Sequence, residues 1–369
     1  MNIVYCGDEG IARGVLVSIL SLLMNGRKKY DARIGEMVER GDTGDADNGS
    51  DEARGDAGDG DGDGDSIGGD IDNDVGNNIG NGVGDGVGNV GGVGGVGVPI
   101  YNIYIMTIKY EGVRPFTIKT AKFLDKLVKK YNTRSFVKLI DATDVFVVNL
   151  PKKNMGSYFT PCSMLRLYMD KVPELAELDR ILYLDYDVVC RGSLLEFYNT
   201  DMSGVEAAGV LDIYGKHFYR YHGWFRSGKD KQKNRELPAG EASRGILKQD
   251  YMNSGVMLFN MPECLRTGMF ERAVKLCAKR WMMLADQAAL NKSINERKLM
   301  PRRYNEQGER PRSDTVLHHF SNNFKFWPYF RVQKVKPFEV ERVHEVLGIH
   351  EYDEVLEEYE KMVGNVWGI

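Results

Sequence analysis

The sequence lacks the features that mark several large classes of protein. No apolar run approaches the roughly 18 residues that a membrane-spanning helix needs, so we expect no transmembrane segment. The N-terminus (MNIVYC) reads at once as a strand and has no basic region before an apolar stretch, so we expect no signal peptide. These absences predict a cytoplasmic protein.

Cysteine is scarce, and its pattern argues against a disulfide framework. The five cysteines are odd in number, scattered, and form no Cys-x-x-Cys pair, so we expect reduced, buried thiols. No helix-turn-helix, zinc-finger or RNA-binding sheet motif is recognisable, so nucleic acid is not expected as a partner. Nothing in the sequence predicts an oligomeric state.

Charge and glycine are distributed very unevenly. The 369-residue chain carries a net charge of −4, yet residues 41–98 hold 14 acidic residues against one basic residue, Arg54. That segment therefore carries −13, and the other 311 residues carry +9. It also holds 21 of the 42 glycines and no aromatic residue, so it cannot bury enough apolar surface to offset its ordering entropy. The sequence predicts a basic globular body interrupted by a disordered acidic insertion.

Strand-like and helix-like segments alternate through the rest of the chain, which favours an α/β fold with a mostly parallel central sheet. We expect one domain over 1–40 and 99–334, the insertion over 41–98, and a helical C-terminal extension over 335–369. The predicted strands lie at 3–6, 100–108, 136–140, 181–185, 205–212, 254–260 and 315–320, and the predicted helices at 11–25, 117–131, 161–171, 262–282 and 285–296.

The clearest chemical signal is a pair of aspartates. Seven Asp-x-Asp pairs occur, but six fall in the acidic segment, where Asp and Gly simply alternate. The seventh, Asp185 and Asp187, ends the apolar run 181–184. Residues i and i+2 on a strand end point to the same face, so these carboxylates could hold one hard divalent cation. Burying them without a cation or donors is costly, so we predict a metal site, the alternative being a turn or capping pair.

Several motifs resemble one enzyme family. The run RILYLDYDVVCRGSL (180–194) is similar to the Asp-x-Asp strand of the retaining glycosyltransferases of family 8, which include bacterial lipopolysaccharide galactosyl- and glucosyltransferases and glycogenin. The resemblance covers 1–30 and roughly 100–330 and implies a single GT-A-type (Rossmann-like) domain. The other matching motifs are MNIVYCGDEG (1–10), SMLRLYMDKVPEL (163–175), GVLDIY (209–214), YMNSGVMLFNM (251–261), LADQAALN (284–291) and LHHFSNNFKFW (317–327).

The resemblance implies a metal held by Asp185, Asp187 and His319. Side chains alternate on a strand, so only one of the adjacent His318 and His319 should face the site. The spacing to the Lys and Trp that close the motif selects His319. Oxygen and imidazole ligands around a diphosphate suit Mn²⁺, with Mg²⁺ as the alternative.

The resemblance also implies a nucleotide-sugar site and a catalytic set. Asp8 would read the uracil, Arg166 would contact phosphate or hold the metal carboxylates, and Lys325 would offer phosphate a point charge. Asp286 and Gln287 open a helix, where a carboxylate would also serve as a cap. The implied catalytic residues are Gln287, Asp286 and Lys325, and the implied nucleotide-sugar-binding residues are Asp8, Arg166, Asp212, Asn253, Gly255 and Lys325.

The function implied is retaining, metal-dependent transfer of glucose or galactose from a UDP-sugar to a hydroxyl of a glycan or lipid-linked acceptor. Gln287 is a poor nucleophile, so a front-face reaction is favoured over a covalent intermediate. Two alternatives are a glycogenin-like primer that glucosylates its own tyrosine and a non-catalytic nucleotide-sugar-binding module. The aromatic stretch 214–226 suits an acceptor wall or lid, or an ordinary packed loop.

Overall fold

The computed structural model describes residues 1–25, 99–155, 161–213, 250–282, 284–321, 323–325 and 331–367. The predicted disordered insertion (41–98) and the aromatic stretch 214–226 lie outside these residues. Among the residues described, no helix is long and apolar enough to cross a membrane.

A seven-stranded sheet forms the centre of the fold, with two small two-stranded sheets beside it. The strands in chain order are β1 (Asn2–Cys6), β2 (Asn102–Thr107), β3 (Phe136–Asp141), β4 (Arg180–Leu184), β5 (Val188–Cys190), β6 (Ala207–Leu211), β7 (Met252–Asn260), β8 (Arg297–Leu299), β9 (Leu317–His319), β10 (Asn323–Lys325) and β11 (Arg331–Gln333).

The central sheet confirms the predicted mostly parallel arrangement. Its order is β3-β2-β1-β4-β7-β6-β8, and only β7 runs against the others, since it pairs antiparallel with both β4 and β6. The small sheets pair β5 with β9 and β10 with β11, each antiparallel. The α/β fold class predicted from the alternation of segments is therefore correct.

Helices cover both faces of the sheet. The predicted single helix over 262–282 is wrong: Gly268 adopts a left-handed conformation (φ 69°) that ends one helix and precedes the next. The segment predicted as a helix at 161–171 is a 3₁₀ helix. The helices are Ala12–Asn25, Ile118–Tyr131, Thr143–Val148, Pro173–Ala176, Leu195–Tyr198, Met261–Thr267, Met269–Lys279, Ala285–Ser293, Val340–Leu347 and Asp353–Trp367, with 3₁₀ turns at Glu9–Ile11, Lys152–Asn154, Pro161–Lys171 and Arg302–Tyr304.

Alternation along the central strands divides the core into two apolar layers. In β1, Ile3 and Tyr5 face one layer, while Val4 and Cys6 face the other. The helix Ala12–Asn25 is buried almost all round, because it lies between the sheet and the C-terminal helix Asp353–Trp367. All five cysteines are free and buried, as predicted.

Candidate active site

The predicted metal ligands converge where β4 ends. Asp185 follows β4, and its backbone N–H donates to the carbonyl of Gly255 on the neighbouring β7 (2.8 Å). The chain then turns into β5, whose pairing with β9 places Val188 opposite His319. His319 Nε2 thereby lies 3.4 Å from Asp187 Oδ1 and 3.8 Å from Asp185 Oδ2. One ligand atom from each residue falls within 4.8 Å of the others.

The local chemistry of this cluster fits a divalent cation. His319 Nδ1 lies 3.3 Å from the acceptor Asn305 Oδ1, which leaves the lone pair of Nε2 facing the two carboxylates. Two carboxylate oxygens and one imidazole nitrogen form a donor set that Mn²⁺ and Mg²⁺ both accept. Asp185 is partly exposed, while Asp187 and His319 are buried, so the cluster opens on the side of Asp185.

Gly255 allows the ligands to approach each other. A Cβ at this position would lie 2.2 Å from His319 Cε1 and 2.9 Å from Asp185 Oδ2. Any larger side chain would therefore displace the imidazole. This contact gives a physical reason for a glycine at position 255, which the resemblance implied as a nucleotide-sugar-binding residue.

Arg166 links Asp185, one of the two predicted metal carboxylates, to a third carboxylate, Asp286. Its buried guanidinium donates to Asp185 Oδ1 (2.8 Å) and to the Ser254 carbonyl (2.8 Å), and its Nε lies 3.2 Å from Asp286 Oδ2. Tyr183 also donates to Asp185 Oδ1 (2.7 Å). Arg166 thus holds the Asp185 and Asp286 carboxylates, and its predicted contact with phosphate stays a prediction.

A buried amide network lies next to Arg166. Gln287 Nε2 donates to Asp212 Oδ2 (2.8 Å), and Gln287 Oε1 accepts the Ser254 backbone N–H (2.9 Å). Asn253 Oδ1 accepts from the Gly255 N–H (3.0 Å) and from Asn305 (3.0 Å), which links this network to His319. Asp212, Asn253, Asp286 and Gln287, all predicted site residues, thus lie in one connected region.

Two acidic groups in this region have displaced pKa values. Burial raises the pKa of Asp286, and the Asp185 carboxylate adds to that rise against the opposing charge of Arg166. Burial alone would also raise the pKa of Asp187, but the Lys336 ammonium holds that pKa below its ordinary value. Asp187 is therefore ionised at neutral pH despite its burial.

Sequence reasoning did not single out several residues of this site, among them Lys336, Asn305 and Tyr183. Lys336 Nζ lies 2.5 Å from Asp187 Oδ2, although the two residues are 149 positions apart. No motif or period marks Lys336 or Asn305. Tyr183 carried a signal, because it lies two positions before Asp185 on the same strand face.

Two predicted residues lie outside this contact network as described. Asp8 follows β1, and the parallel register of β1 with β4 (Val4 opposite Tyr183) brings it to the same edge of the sheet. Its own side chain accepts from the Gly10 N–H (2.9 Å). Lys325 ends β10, and its side chain is outside the described part of the structure, so its predicted role stays a prediction.

A second group of potential ligands, His344, His350 and Asp353, lies in the C-terminal segment. Each imidazole faces a different oxygen of the one carboxylate: His344 Nε2 lies 2.9 Å from Oδ1 and His350 Nδ1 lies 3.3 Å from Oδ2. The side chain of His350 is 65% exposed. These three side chains form exposed hydrogen bonds that connect the helix Val340–Leu347 to the start of the helix Asp353–Trp367.

Comparison with known proteins finds a matching family and similar curated proteins. The model of a family described as glycosyl transferase family 8 matches residues 2–330. The chain is 29% identical over 189 residues to a lipopolysaccharide 1,2-glucosyltransferase of Escherichia coli, which covers 50% of this chain and 49% of that protein. Against a protein of the same name from strain K12, it is 28% identical over 131 residues, covering 35% and 33%. The chain thus spans half or less of the length of these curated relatives.

Among solved structures, the apo form of the bifunctional glycosyltransferase WbbM resembles this chain with a TM-score of 0.53 at 12% identity. The match covers 98% of this chain and 51% of that one. At this identity the likeness concerns the fold alone.

Proposed function

This chain belongs to glycosyl transferase family 8, and on that basis we propose that it is a metal-dependent hexosyltransferase. It would move glucose or galactose from a UDP-sugar to a hydroxyl of a glycan or glycolipid acceptor, with retention at the anomeric carbon. The observation that most supports the proposal is the convergence of Asp185, Asp187 and His319 at the carboxyl end of β4. Ligands bind at this edge of the sheet in open α/β folds.

The proposed cation is Mn²⁺, with Mg²⁺ as the alternative, held by Asp185, Asp187 and His319. When bound, it would neutralise the charge that develops on the departing diphosphate. Arg166, already engaged with Asp185 and Asp286, would keep those carboxylates in place. Lys325 is proposed to add a second positive charge for the phosphates.

Gln287 is proposed to position Asp212, to which it donates, rather than to attack the sugar. Both ends of its amide are committed, one to the Ser254 N–H and the other to Asp212. Asp212 and Asp286 would then hold sugar hydroxyls, and the acceptor hydroxyl would attack on the face that the diphosphate leaves. Detection by mass spectrometry of a covalent sugar on Asp286 or Gln287 would contradict this front-face route.

The remaining donor contacts follow from where the strands end. Asp8 would read the uracil from the end of β1, and Asn253 and Gly255 would line the donor site from β7.

We propose that 1–40 and 99–334 form the catalytic domain, that 41–98 is an insertion, and that 335–369 is a C-terminal extension.

A donor screen tests the proposal. The full chain is incubated with UDP-glucose, UDP-galactose and other UDP-sugars, with Mn²⁺, with Mg²⁺ or with EDTA, and free UDP is measured. We expect slow release of UDP from one UDP-hexose, only with metal, and faster release once a suitable acceptor glycan is added. A chain that binds UDP-sugars with metal but never releases UDP would instead be a non-catalytic binding module.

The same reactions distinguish a self-glucosylating primer. The intact mass of the chain is measured after incubation with UDP-glucose and Mn²⁺ and no acceptor. We expect the mass to stay constant. Growth in steps of one hexose would assign the chain the primer function, with one of its 19 tyrosines as a candidate acceptor.

A further inference from the structure

A lysine from the C-terminal extension contacts Asp187, one of the two carboxylates of the candidate metal site. Lys336 Nζ lies 2.5 Å from Asp187 Oδ2 and donates to the Phe320 carbonyl at 3.1 Å. It also lies 5.7 Å from the ring centroid of Tyr186, the residue between the two aspartates. The Lys336 side chain is 18% exposed and that of Asp187 is 6% exposed, so the contact is largely shielded from water.

Lys336 gives the second aspartate a cation of its own. Asp185 is already paired with Arg166, so each carboxylate of the pair has a permanent positive partner. The two oxygens of Asp187 are divided: Oδ2 faces Lys336 and Oδ1 faces His319. A buried carboxylate without such a partner is costly, so Lys336 stabilises the protein when no metal is bound.

The extension is anchored in a way that keeps Lys336 in place. His318, on the opposite face of β9 from His319, lies 2.8 Å from the hydroxyl of Tyr352, which is buried in the extension. The extension therefore holds β9 through Tyr352 on one side and the Asp187 turn through Lys336 on the other. A side chain held by Asp187, Phe320 and Tyr186 would stay beside an entering cation.

Two effects of opposite sign then act on a divalent cation. Contacts that orient a metal-binding carboxylate typically contribute about 10- to 100-fold to affinity. An ammonium that stays in contact with Asp187 while Asp187 binds a doubly charged ion repels that ion. At the effective dielectric constant of about 20 that suits protein sites, this repulsion is larger than the gain from orienting the carboxylate. The net effect of Lys336 is therefore to weaken the binding of a free cation.

We propose that Lys336 is the resident counter-cation of the metal site: it neutralises Asp187 in the metal-free protein and lowers the affinity for a free divalent cation at least tenfold. This inference rests on the metal site of the proposed function. It makes the C-terminal extension part of that site.

The test compares Mn²⁺ binding by isothermal titration calorimetry, without nucleotide, in the full chain and in Lys336→Met. We expect the variant to bind Mn²⁺ at least tenfold more tightly than wild type. In EDTA the variant should have a lower thermal midpoint, because Asp187 loses its partner, and Mn²⁺ should raise its midpoint more than that of wild type.

Lys336→Arg, which keeps the charge, should bind Mn²⁺ with an affinity within about threefold of wild type. Lys361→Met, which removes an exposed lysine 3.7 Å from Glu358 on the same extension, is the matched control and should change neither quantity.

The outcomes separate the alternatives. A lower midpoint with an unchanged Mn²⁺ affinity would show that Lys336 is only structural, and weaker Mn²⁺ binding would show that it orients Asp187; either overturns the proposal. If Lys336→Met does not fold in EDTA, Lys336→Gln, which keeps a donor without the charge, gives the same comparison. Failure of the proposed function is distinguishable, because Mn²⁺ would then bind neither wild type nor Lys336→Met, or Asp187→Asn would leave the binding intact.

Discussion

At the scale of single residues, the candidate site depends on one close approach between a backbone and an imidazole. His319 lies so near to Gly255 that a Cβ on this residue would overlap the ring at 2.2 Å from Cε1. Gly255 also accepts the backbone N–H of Asp185 through its carbonyl, so one residue locates two of the three proposed ligands.

Replacing this glycine should therefore damage the site. We expect Gly255→Ala to lower metal-dependent UDP release by at least 100-fold, because the imidazole must move away from the carboxylates. The overpacking should also lower the free energy of unfolding by about 1–3 kcal/mol. Both are measured, by coupled UDP detection and by chemical denaturation. The matched control is Gly192→Ala, where the nearest atoms to an added Cβ are Val316 methyls at 4.0 Å. Wild-type turnover in a folded Gly255→Ala protein would refute the proposed position of His319.

The sequence was informative about some of these residues and silent about others. That Asp185, Asp187 and His319 lie together could be predicted, because the two aspartates end an apolar strand and the resemblance to the family motif selects His319. Lys336 could not, because its contact with Asp187 depends on how a distant segment folds back. The role of Asp212 as the partner of Gln287 also needed the structure, since the motifs place the two residues on different elements.

At the scale of elements, the pairing of β9 with the C-terminal extension depends on His318. Its Nε2 donates to the Gly308 carbonyl (2.9 Å), and its Nδ1 accepts from Tyr352 (2.8 Å), so the ring is held neutral. Burial lowers the pKa of His318 from 6.5 to about 4. His318 thus contributes to folding, while its neighbour His319 faces the proposed metal ligands Asp185 and Asp187.

This burial predicts a specific loss of stability in acid. The unfolded chain takes up a proton on His318 below pH 6.5, and the folded chain does so only near pH 4. Stability should therefore be complete above pH 6.5 and fall as the pH drops towards 4, by up to about 1.4 kcal/mol per pH unit. Urea unfolding in EDTA between pH 7 and 4.5 measures this slope. His318→Gln removes the titrating group and should flatten the slope; an equal slope in the variant would show that another group causes it.

Elements were predictable when they were long and regular. The alternation of strands and helices gave the mostly parallel sheet, because buried strands read as apolar runs. Strands of three residues, such as β5 and β8, have too few positions to show a period. The break at Gly268 was missed because the apolar period continues across it, although the glycine itself marks a helix end.

At the scale of the whole molecule, the acidic segment and the site belong to different parts of the chain. The residues from Pro99 onward lead into β2, which begins at Asn102. β2 begins at the amino edge of the sheet, whereas Asp185 and Asp187 follow the carboxyl end of β4. The chain therefore re-enters the fold away from the proposed metal ligands.

Removing most of the insertion should leave catalysis intact. We expect a chain lacking 45–97 to keep UDP release within about twofold of the full chain, because no proposed site residue lies in that segment. Turnover and thermal midpoint are measured for both chains. Loss of activity in a deletion variant that still folds would show that the insertion takes part in the site.

Of the seven Asp-x-Asp pairs, Asp185 and Asp187 are the pair proposed to hold a catalytic metal, and matched substitutions compare it with the pairs of the acidic segment. UDP release from the preferred UDP-hexose is measured with Mn²⁺ for wild type, for Asp187→Asn and for Asp61→Asn, which alters two of the six pairs in the acidic segment. We expect UDP release to fall at least 100-fold in Asp187→Asn, to the level of wild type in EDTA, and to be unchanged in Asp61→Asn. Release at the wild-type rate in a folded Asp187→Asn protein would contradict a metal site at Asp185 and Asp187.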